Sequence, residues 1–536
     1  MSKEWLVCGF VVIEGEFDQN FSKLIGSDYQ KLTHRGPDDH QFVHFSNGIF
    51  GFHRLAIMDL SDHGRQPFVS DKKNYLVCNG EVYNYLNLKN ECSHHQFVSQ
   101  SDCEVLLPLY EKWGIEKLVS NLDAEFALVI WDEQKKKFLA ARDPMGIRPL
   151  FFGRTKDNKL AFASEVKGLI DFCTHIEPVK PGYFFDGDKF RSYLDLAQDQ
   201  SNYVSTQTQA LTGINFHLTE AVKKRLQSDA EVGFLLSGGL DSSLVCAIAQ
   251  KLSPGKPINT YSIGMSHDAI DSKYAQEVAD FIGANHTNVT MTESDVLGAL
   301  EQVIYHLETW DITTVRASIG MYLVCKYIHK HSKIKVLLTG EVSDELFGYK
   351  YTDFAPSADE FQKEAQKRIR ELYLYDVLRA DRCISAHSLE ARVPFSDKGF
   401  VSFVMSIDPK LKMNTTGTGK FLLREAFKND KILPDSILWR EKAAFSDAVG
   451  HSMVDELKAY ANKKYSDSDL DNAKIKYPYR SPFTKESLLY RDIFEKHYPN
   501  RSYLIPDFWM PNPNWDNCKV SDPSARVLPN YGKSGE

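Results

Sequence analysis

The chain has 536 residues, of which 43% are hydrophobic and 25% charged, and its formal net charge is −8. This length is too great for one compact core and predicts two or three domains. The ordinary, mildly acidic composition excludes a disordered chain and argues against nucleic-acid binding. No apolar stretch reaches the roughly 18–20 residues that span a bilayer. We therefore expect a cytoplasmic protein with small-molecule substrates and no membrane partner.

The first 190 residues have the pattern of β-strands separated by turns. One helix is expected at 103–113, and strands are expected at 6–13, 49–60, 75–85, 126–132, 137–143 and 160–165. Turn signals such as RGPDD and DPMG separate these segments. A β-rich domain over residues 8–190 follows from this pattern.

The pattern changes after a polar stretch at 191–215, which is typical of a linker. Beyond it, strands expected at 232–236, 258–265, 286–291 and 335–340 alternate with helices expected at 216–227, 242–251, 272–283, 295–309 and 316–331. Such alternation predicts a parallel, doubly wound sheet. We expect this second domain to cover residues 216–505, to be mostly helical from 360 to 460, and to end in an irregular tail at 506–536.

The string SGGLDSS at 237–243 follows an apolar strand and opens a helix. Paired glycines allow tight backbone curvature, the serines add hydroxyl donors, and a helix N-terminus directs free N–H groups at an anion. The loop lacks the spacing and the lysine of a Walker loop. Asp241 would repel phosphate unless a Mg²⁺ ion bridges the two. The alternative is a Gly-Ser turn that only caps a helix.

A second polar loop, TGEVSDELFG at 339–348, also follows an apolar strand. Its carboxylates Glu341, Asp344 and Glu345 suit a metal or a general-base role. Asp344 is a candidate second ligand for the same Mg²⁺ as Asp241. The alternative is an acidic, solvated turn.

These strings resemble the glutamine-hydrolysing asparagine synthetases. The matches in the C-terminal two thirds are SGGLDSS, DITTVRAS (311–318), TGEVSDE (339–345), LEARVPFSDK (389–398) and WREKAAFSD (439–447). Those in the N-terminal third are HRGPDD (34–39), HRLAIMDL (53–60), NGEVYNY (79–85), SDCE (101–104) and ASEVKGL (163–169). The resemblance implies an Ntn-hydrolase-like αββα sandwich of the class II glutamine amidotransferases, followed by a doubly wound α/β ATP-pyrophosphatase domain with helical additions. It also suggests a homodimer.

The resemblance implies a reaction in two stages, with ATP and Mg²⁺ as cofactors. ATP would adenylate the aspartate side chain, and ammonia released from glutamine would displace AMP, because a free carboxylate has no adequate leaving group. Glu341 would act on the intermediate and the amine, Lys442 would stabilise the departing pyrophosphate, and Arg316 would bind an acceptor carboxylate beside Asp344. The implied ATP contacts are Leu236, Ser237, Gly238, Gly239, Asp241, Ser242, Ile263, Thr339 and Gly340.

In the first domain the resemblance implies a cysteine nucleophile, Cys8, and a glutamine pocket around it. Arg54 would bind the glutamine carboxylate and Asp102 its ammonium group. Asn79 and the backbone N–H of Gly80 would form the oxyanion hole, and Glu81 would help position the substrate.

Cys8 departs from the family pattern, in which the nucleophile follows the initiating methionine and its free α-amine serves as the base. An α-amine has a pKa near 8, whereas the nitrogen of the Val7–Cys8 peptide is delocalised and cannot accept the proton. With Met1–Val7 attached, glutaminase activity is expected to be poor or absent. A removed propeptide, a start codon at Val7, or a domain that serves only as a scaffold are the alternatives.

The acceptor side departs as well. Val342 and Ala448 stand where the family has glycine, and Ile319-Gly320 follows VRAS where Thr-Pro is common. Because the ATP-handling residues are intact, this pattern leaves a second hypothesis open. The chain would then close an amide within one substrate, as β-lactam synthetases do, and its glutaminase domain would be inactive. Glu341, where the β-lactam synthetases carry tyrosine, favours the first hypothesis.

Overall fold

The computed structural model describes residues 8–36, 38–45, 47–198, 202–266, 270–441 and 451–531. The predicted residues Lys442 and Ala448, and the segment Met1–Val7, lie outside these ranges. Among the helices within them, none has the length and apolar character that crossing a membrane requires.

Among the described residues, twelve strands build two antiparallel sheets in the N-terminal domain. They are β1 (Gly9–Glu14), β2 (Asp39–Phe45), β3 (Gly48–Arg54), β4 (Phe68–Val69), β5 (Tyr75–Val82), β6 (Ala124–Asp132), β7 (Lys137–Arg142), β8 (Phe151–Arg154), β9 (Leu160–Ala163), β10 (His175–Pro178), β11 (Tyr183–Phe185) and β12 (Phe190–Ser192). The strand orders are β10-β8-β9-β1-β3-β2 and β12-β11-β7-β6-β5-β4. Gly9 pairs with His53 and Asn79 pairs with Ala127, so β1 and β5 lie inside their sheets.

Alternation along β1 shows how the layers stack. Phe10 and Val12 pack in the core between the two sheets, whereas Val11 and Ile13 pack on the outer side against Ile25. The outer layers are helices α1 (Gln19–Gln30) on the first sheet and α2 (Tyr85–Asn90), α3 (Leu106–Trp113) and α4 (Ile115–Asn121) on the second. This helix–sheet–sheet–helix order confirms the predicted αββα sandwich.

Five parallel strands form the sheet of the C-terminal domain: β13 (Glu231–Leu235), β14 (Asn259–Met265), β15 (Asn285–Met291), β16 (Ile334–Leu338) and β17 (Glu390–Arg392). Their order is β15-β14-β13-β16-β17. Strands β14 and β15 are added on one side of β13 and strands β16 and β17 on the other, so the strand order reverses between β13 and β16. Ligands of doubly wound sheets bind where the order reverses, outside the carboxyl ends of the strands. The fold therefore places a candidate crevice after Leu235 and after Leu338.

Helices surround this sheet, as predicted. They are α5 (Gln207–Arg225), α6 (Leu240–Leu252), α7 (Ile270–Ile282), α8 (Glu293–Leu307), α9 (Ile312–His331), α10 (Ser343–Phe347), α11 (Ala358–Glu371), α12 (Asp376–Ser385), α13 (Lys398–Met405), α14 (Pro409–Lys412), α15 (Phe421–Lys428), α16 (Asp435–Leu438), α17 (His451–Lys464), α18 (Asp467–Lys476) and α19 (Lys485–His497).

Helix α5 begins inside the segment predicted as a linker. The Thr206 hydroxyl caps the helix by accepting from the N–H of Gln209. Ala210, Ile214 and Leu218 then bury one face at intervals of four residues. The polar residues between them, which suggested a linker, lie on the other faces of the same helix.

Buried ion pairs join the two domains. Arg35 lies 2.8 Å from Asp381 of α12, and Arg392 of β17 lies 2.8 Å from Glu81 of β5. Further pairs link Arg382 with Glu165, Lys167 with Glu308, Arg225 with Glu125, and Arg148 with Glu390. Replacing one partner of such a pair would leave the other charge buried and unpaired, at a cost of about 3–5 kcal/mol.

Residues 507–531, here named the C-terminal strap, return across the surface of the second domain. The strap is irregular apart from a turn at Ala525–Val527. It nevertheless buries Trp509, Trp515 and Cys518 against Tyr351. Arg316 near the start of α9 contacts the strap at Asp522.

Candidate active site

The loop between β13 and α6 carries the first group of predicted residues. Gly238 has φ +78°, and a Cβ on it would lie 2.6 Å from the backbone nitrogen of Ala275, so only glycine fits there. Gly239 is the N-cap of α6. This tight turn places the first N–H groups of α6 at the end of the strand, the position from which helices bind phosphate.

Hydroxyl groups fix the shape of this loop. The backbone N–H of Ser237 donates to Ser242 Oγ at 3.1 Å, and the two serine oxygens lie 3.0 Å apart. The N–H of Gly239 donates to Ser237 Oγ at 3.3 Å. Two hydroxyls are thus held together at the mouth of the helix before any ligand binds.

The loop after β16 touches the first loop. A Cβ on Gly340 would lie 2.7 Å from the backbone nitrogen of Ser242, so glycine permits this approach. The N–H of Thr339 donates to the carbonyl of Arg392 at 3.1 Å. Its Oγ1 atom is buried and has no hydrogen-bond partner among the residues that the structure describes. Such an orphaned hydroxyl is available to a ligand.

A cavity of about 170 Å³ opens between the two loops. Gly238 is not among the residues that line it. All the other predicted nucleotide contacts line it: Leu236, Ser237, Gly239, Asp241, Ser242, Ile263, Thr339 and Gly340. The fold thus brings together side chains that are about 100 residues apart in the sequence.

Lys420, which the sequence did not single out, lies between the two predicted metal ligands. Its Nζ is 2.7 Å from Asp241 Oδ2, 2.6 Å from Asp344 Oδ1 and 2.9 Å from Ser343 Oγ. Burial alone would lower the pKa of Lys420, but the two carboxylates outweigh it and raise the pKa. The available signal was local, because this lysine follows a glycine-rich run and directly precedes α15.

Asp241 and Asp344 fit a divalent cation in part. Both carboxylates reach a single ammonium nitrogen, so they also can reach one metal ion between them, and carboxylate oxygen is the ligand that Mg²⁺ prefers. Among the described residues, no cluster of three or more His, Cys, Asp or Glu side chains could hold a metal ion. A cation here would take its other ligands from phosphate oxygens or water.

The far end of the cavity is rich in carboxylates around one guanidinium. Arg379 Nη2 lies 3.6 Å from Glu341 Oε1 and 2.9 Å from Asp376 Oδ1. Glu341 Oε2 is buried and lacks a hydrogen-bond partner within the described ranges. Asp376 and Arg379, both missed from the sequence, line the cavity together with Glu341 and Glu345.

Tyr349 holds two of these carboxylates. Its hydroxyl contacts Glu345 Oε1 closely and lies 3.0 Å from Asp376 Oδ2. Burial, followed by the neighbouring Asp376 and Asp344 carboxylates, raises the pKa of Glu345 well above its usual range. A proton is therefore shared within this group, and the site has both donors and acceptors for a polar ligand.

Arg316, predicted to bind an acceptor carboxylate, has other partners. Its guanidinium contacts Glu486 at 2.6 Å and Asp522 at 2.9 Å, and the side chain is buried. It does not line the cavity. The guanidinium groups that line the cavity belong to Arg379, Arg424 and Arg440, and of these Arg379 lies beside Glu341. The predicted pyrophosphate ligand Lys442 lies outside the described residues, although the preceding Glu441 lines the cavity.

Val342, where the family pattern has glycine, lies in the cavity wall in a conformation that glycine would favour. Its φ is +80°, which is strained for a β-branched residue. Its side chain is fully buried in the hydrophobic core. Strain of this kind persists where the surroundings fix the backbone and is common at functional sites.

Cys8, in the N-terminal domain, directly precedes β1. Its Sγ lies 3.5 Å from the carbonyl oxygen of Leu55 and accepts from the Leu55 N–H at 3.3 Å. Burial raises the pKa of the Cys8 thiol to about 12. The thiol is therefore protonated at neutral pH and needs a base before it can act as a nucleophile.

Two of the predicted glutamine ligands differ in how they are satisfied. Arg54 donates to the carbonyl of Ser61 at 2.6 Å and to that of Asp59. Its guanidinium is therefore hydrogen-bonded to the loop that follows it in the chain. Both amide atoms of Asn79 are buried and, among the described residues, neither has a hydrogen-bond partner. An orphaned amide next to Gly80 suits an oxyanion hole, which donates to charge that develops only during the reaction.

Glu81 and Asp102 are buried. Burial raises the pKa of Glu81 well above its usual range despite the Arg392 guanidinium 2.8 Å away. Asp102 Oδ2 accepts from the N–H of Val82 at 2.6 Å, and burial raises the pKa of Asp102 to about 6. Glu81 thus pairs with the second domain, and Asp102 is ionised at neutral pH.

Two family models match different parts of the chain. A family model described as a glutamine amidotransferase domain matches residues 7–202, and one described as asparagine synthase matches 213–360 and 350–509. A probable glutamine-hydrolysing asparagine synthetase of Acanthamoeba polyphaga mimivirus is 42% identical over 93% of this chain and 95% of its own length. The asparagine synthetases of Gallus gallus and Homo sapiens are 42% and 39% identical, over 94% and 98% of this chain and 95% and 99% of theirs.

Proposed function

The chain belongs to the family of glutamine-hydrolysing asparagine synthetases, and from this premise we propose that it converts aspartate to asparagine with ATP and ammonia from glutamine. One observation carries the proposal. Lys420 and the carboxylates Asp241 and Asp344 meet at the ends of two parallel strands, directly beside Glu341. This arrangement joins a site for a polyphosphate to a site for a small charged acceptor.

The phosphate end of the cavity supports adenylation. The N-terminus of α6 and the hydroxyls of Ser237 and Ser242 would bind phosphate oxygens, and Lys420 would neutralise charge as pyrophosphate leaves. A Mg²⁺ ion held by Asp241 and Asp344 would supply further charge neutralisation between ATP and these carboxylates. Lys442 stays a predicted second cation for the same leaving group.

The carboxylate-rich end supports an amino-acid acceptor. Aspartate carries an ammonium group and two carboxylates. Asp376 and Glu345 would bind the ammonium group, and Arg379 would bind the α-carboxylate. The side-chain carboxylate would then lie near Glu341, whose orphaned oxygen can accept a proton from incoming ammonia. Asp344, bonded to Lys420, would border both substrates.

The N-terminal domain would supply the ammonia. Arg54 and Asp102 would bind the two charged ends of glutamine, while Asn79 and Gly80 would stabilise the oxyanion formed when Cys8 attacks. Glu81 would orient the substrate. We propose that this stage requires a free α-amine on Cys8, because a peptide nitrogen cannot take up the thiol proton.

The intramolecular, β-lactam-forming alternative is not favoured. The most similar relatives described above are glutamine-hydrolysing asparagine synthetases over almost their full length. The glutamate at position 341, also expected from asparagine synthetases, agrees with that assignment.

We further propose the division into domains at 8–190 and 216–505, a cytoplasmic location and a homodimer. The family models on either side of residue 202 support the division. Location and dimer remain predictions from the composition and the family resemblance.

Purified protein tests the proposal directly. With ATP, MgCl₂, aspartate and ammonium chloride, we expect asparagine, AMP and pyrophosphate in equal amounts. AMP without asparagine would contradict the conversion of aspartate to asparagine. If none of the carboxylates tested led to pyrophosphate release, the adenylation of an acceptor would be contradicted altogether. Replacing ammonium with glutamine in the same assay then reports on the N-terminal domain separately.

A further inference from the structure

The C-terminal strap is anchored beside the acceptor end of the cavity at Trp509. The N–H of Trp509 donates to Asp311 Oδ1 at 2.7 Å, and the other oxygen of Asp311 caps α9 by accepting from Thr314. Arg368 lies 4.8 Å from the Trp509 ring and donates to the carbonyl of Met510 at 2.5 Å. The backbone and the ring of Trp509 are therefore held by separate contacts, which fixes the orientation of this side chain.

The ring that Trp509 presents to the interior contacts Tyr349. The two ring centroids are 5.2 Å apart with planes inclined by 59°. The hydroxyl of the same tyrosine contacts Glu345 and Asp376, both of which line the cavity. One buried indole thus touches the residue that holds the two carboxylates at the acceptor end.

The position of Tyr349 matters because the two carboxylates repel each other. Glu345 is buried and Asp376 is half-buried, so at a short distance the two carboxyl groups are stabilised by sharing a proton or a bridging donor. The Tyr349 hydroxyl is such a bridge, and its position depends on where the ring lies. A ring free to shift would leave Glu345 and Asp376 without a fixed separation.

We propose that Trp509 is a positioning residue for the acceptor: by packing against Tyr349 it sets the geometry of Glu345 and Asp376. The inference rests on the proposed function, since it takes these carboxylates as ligands of the aspartate ammonium group. Trp509 does not touch the nucleotide end of the cavity, so its effect falls on the acceptor alone.

Trp515 offers a matched control. It lies in the same strap and is about as deeply buried as Trp509. Both rings contact Tyr351, with centroids 6.0 Å apart for Trp515 and 5.9 Å apart for Trp509, and Trp509 contacts Tyr349 in addition. Removing either indole costs a similar amount of buried apolar surface. A purely structural role for the strap therefore predicts similar effects of W509A and W515A.

The experiment measures KM for aspartate and for ATP in the ammonia-dependent reaction. For W509A we expect KM for aspartate to rise about tenfold while KM for ATP stays within twofold, which corresponds to the loss of one aromatic contact. W509F should recover most of the aspartate affinity because it restores a ring against Tyr349. W515A should lower the melting temperature without a selective rise in KM for aspartate.

Y349F supplies a second route in case W509A does not fold. It keeps the ring against Trp509 and removes only the hydroxyl, so the same selective rise in KM for aspartate is expected. An unchanged KM for aspartate in Y349F, or equal changes in W509A and W515A, would overturn the inference while leaving the proposed function intact. A wild-type protein that forms no asparagine from ammonia would overturn both.

Discussion

Charged groups in the proposed ATP cavity and in the proposed glutamine pocket are compensated in different ways. In the cavity, Lys420 faces Asp241 and Asp344, and these groups line the space that substrate would enter. In the glutamine pocket, Arg54 is bound to backbone carbonyls of its own loop, and Glu81 is paired with Arg392 of the other domain. One site presents its charges to a ligand, and the other directs them into the protein.

The difference indicates which property limits activity at each of the two sites. When ATP and a cation bind, Lys420 can pair with phosphate and the cation with the two carboxylates. Every charged group then keeps a partner of opposite charge. In the proposed glutamine pocket, Arg54 and Glu81 would have to exchange their present partners for substrate. The pKa of the Cys8 thiol is raised to about 12, and the nitrogen of Cys8 is a peptide nitrogen while Val7 is attached. The synthetase stage should respond to changes in charge, and the glutaminase stage to cleavage before Cys8.

The largest effect is expected from a chain that begins at Cys8, produced by cleavage after Val7. Its α-amine can serve as a general base, a contribution typically worth ~10²–10⁴-fold in rate. Glutamine-dependent asparagine formation should rise at least 100-fold, and ammonia-dependent formation should stay within twofold of the uncut protein. Steady-state assays of both forms check this, with the N-terminus verified by mass spectrometry.

The C8A variant of the cleaved chain is the control, and it should lose only the glutamine-dependent activity. If the intact chain, with its Val7–Cys8 peptide proved present, hydrolysed glutamine as fast as the cleaved one, the requirement for a free amine would be refuted.

The next largest effect is expected for K420A. Loss of one preorganised donor to a developing negative charge typically costs about 10²–10³-fold in kcat. Pyrophosphate release should fall by this factor with ammonia, and equally with glutamine when the chain begins at Cys8. K428A is the matched control, because Lys428 ends α15, the helix that Lys420 directly precedes, and is exposed and paired with Glu425. Equal rates of pyrophosphate release for K420A and wild type would show that Lys420 does not take part in this step.

A smaller effect concerns pH and the glutamine pocket. Burial raises the pKa of Asp102 to about 6, so below this pH the carboxyl becomes neutral and no longer attracts the glutamine ammonium group. In the C8A variant, the Kd for glutamine should be nearly constant above pH 7 and rise about tenfold per pH unit below 6. Calorimetric titration measures it, and D102N should bind weakly at every pH. A flat profile for C8A between pH 5 and 7 would contradict this role.

The smallest effect concerns the strained wall of the ATP cavity. Alanine in a helix or strand is usually more stable than glycine, but at φ +80° the order should reverse, because glycine adopts this backbone without strain. V342G should therefore be more stable than V342A by about 1 kcal/mol in the free energy of unfolding. Urea denaturation of the two variants checks the order. A more stable V342A would show that the positive φ carries no strain.

Local motifs predicted much of the fold and of the cavity. The SGGLDSS loop could be recognised because its residues are contiguous and its strand–turn–helix context is also local. The alternation of strands and helices likewise predicted a parallel sheet, and the structure confirms it. Period-four burial of Ala210, Ile214 and Leu218 was hidden among polar residues, so the start of α5 was interpreted as linker.

The sequence alone did not show which distant residues pair in the fold. Arg316 was a reasonable candidate by residue type, but its partners Glu486 and Asp522 lie 170 and 206 positions away along the chain. Lys420 and Arg379 were missed for the same reason, since their positions at the cavity depend on helix packing. Burial decides whether a charge is a ligand or a structural pair, and burial is a property of the whole fold.

Arg392 has a consequence for how the two substrates influence each other. Its guanidinium holds Glu81 in the glutamine pocket, while its carbonyl accepts from Thr339 in the ATP cavity. The two binding equilibria therefore share a residue, and thermodynamic linkage between them is reciprocal. By whatever factor bound ATP changes the affinity for glutamine, bound glutamine changes the affinity for ATP.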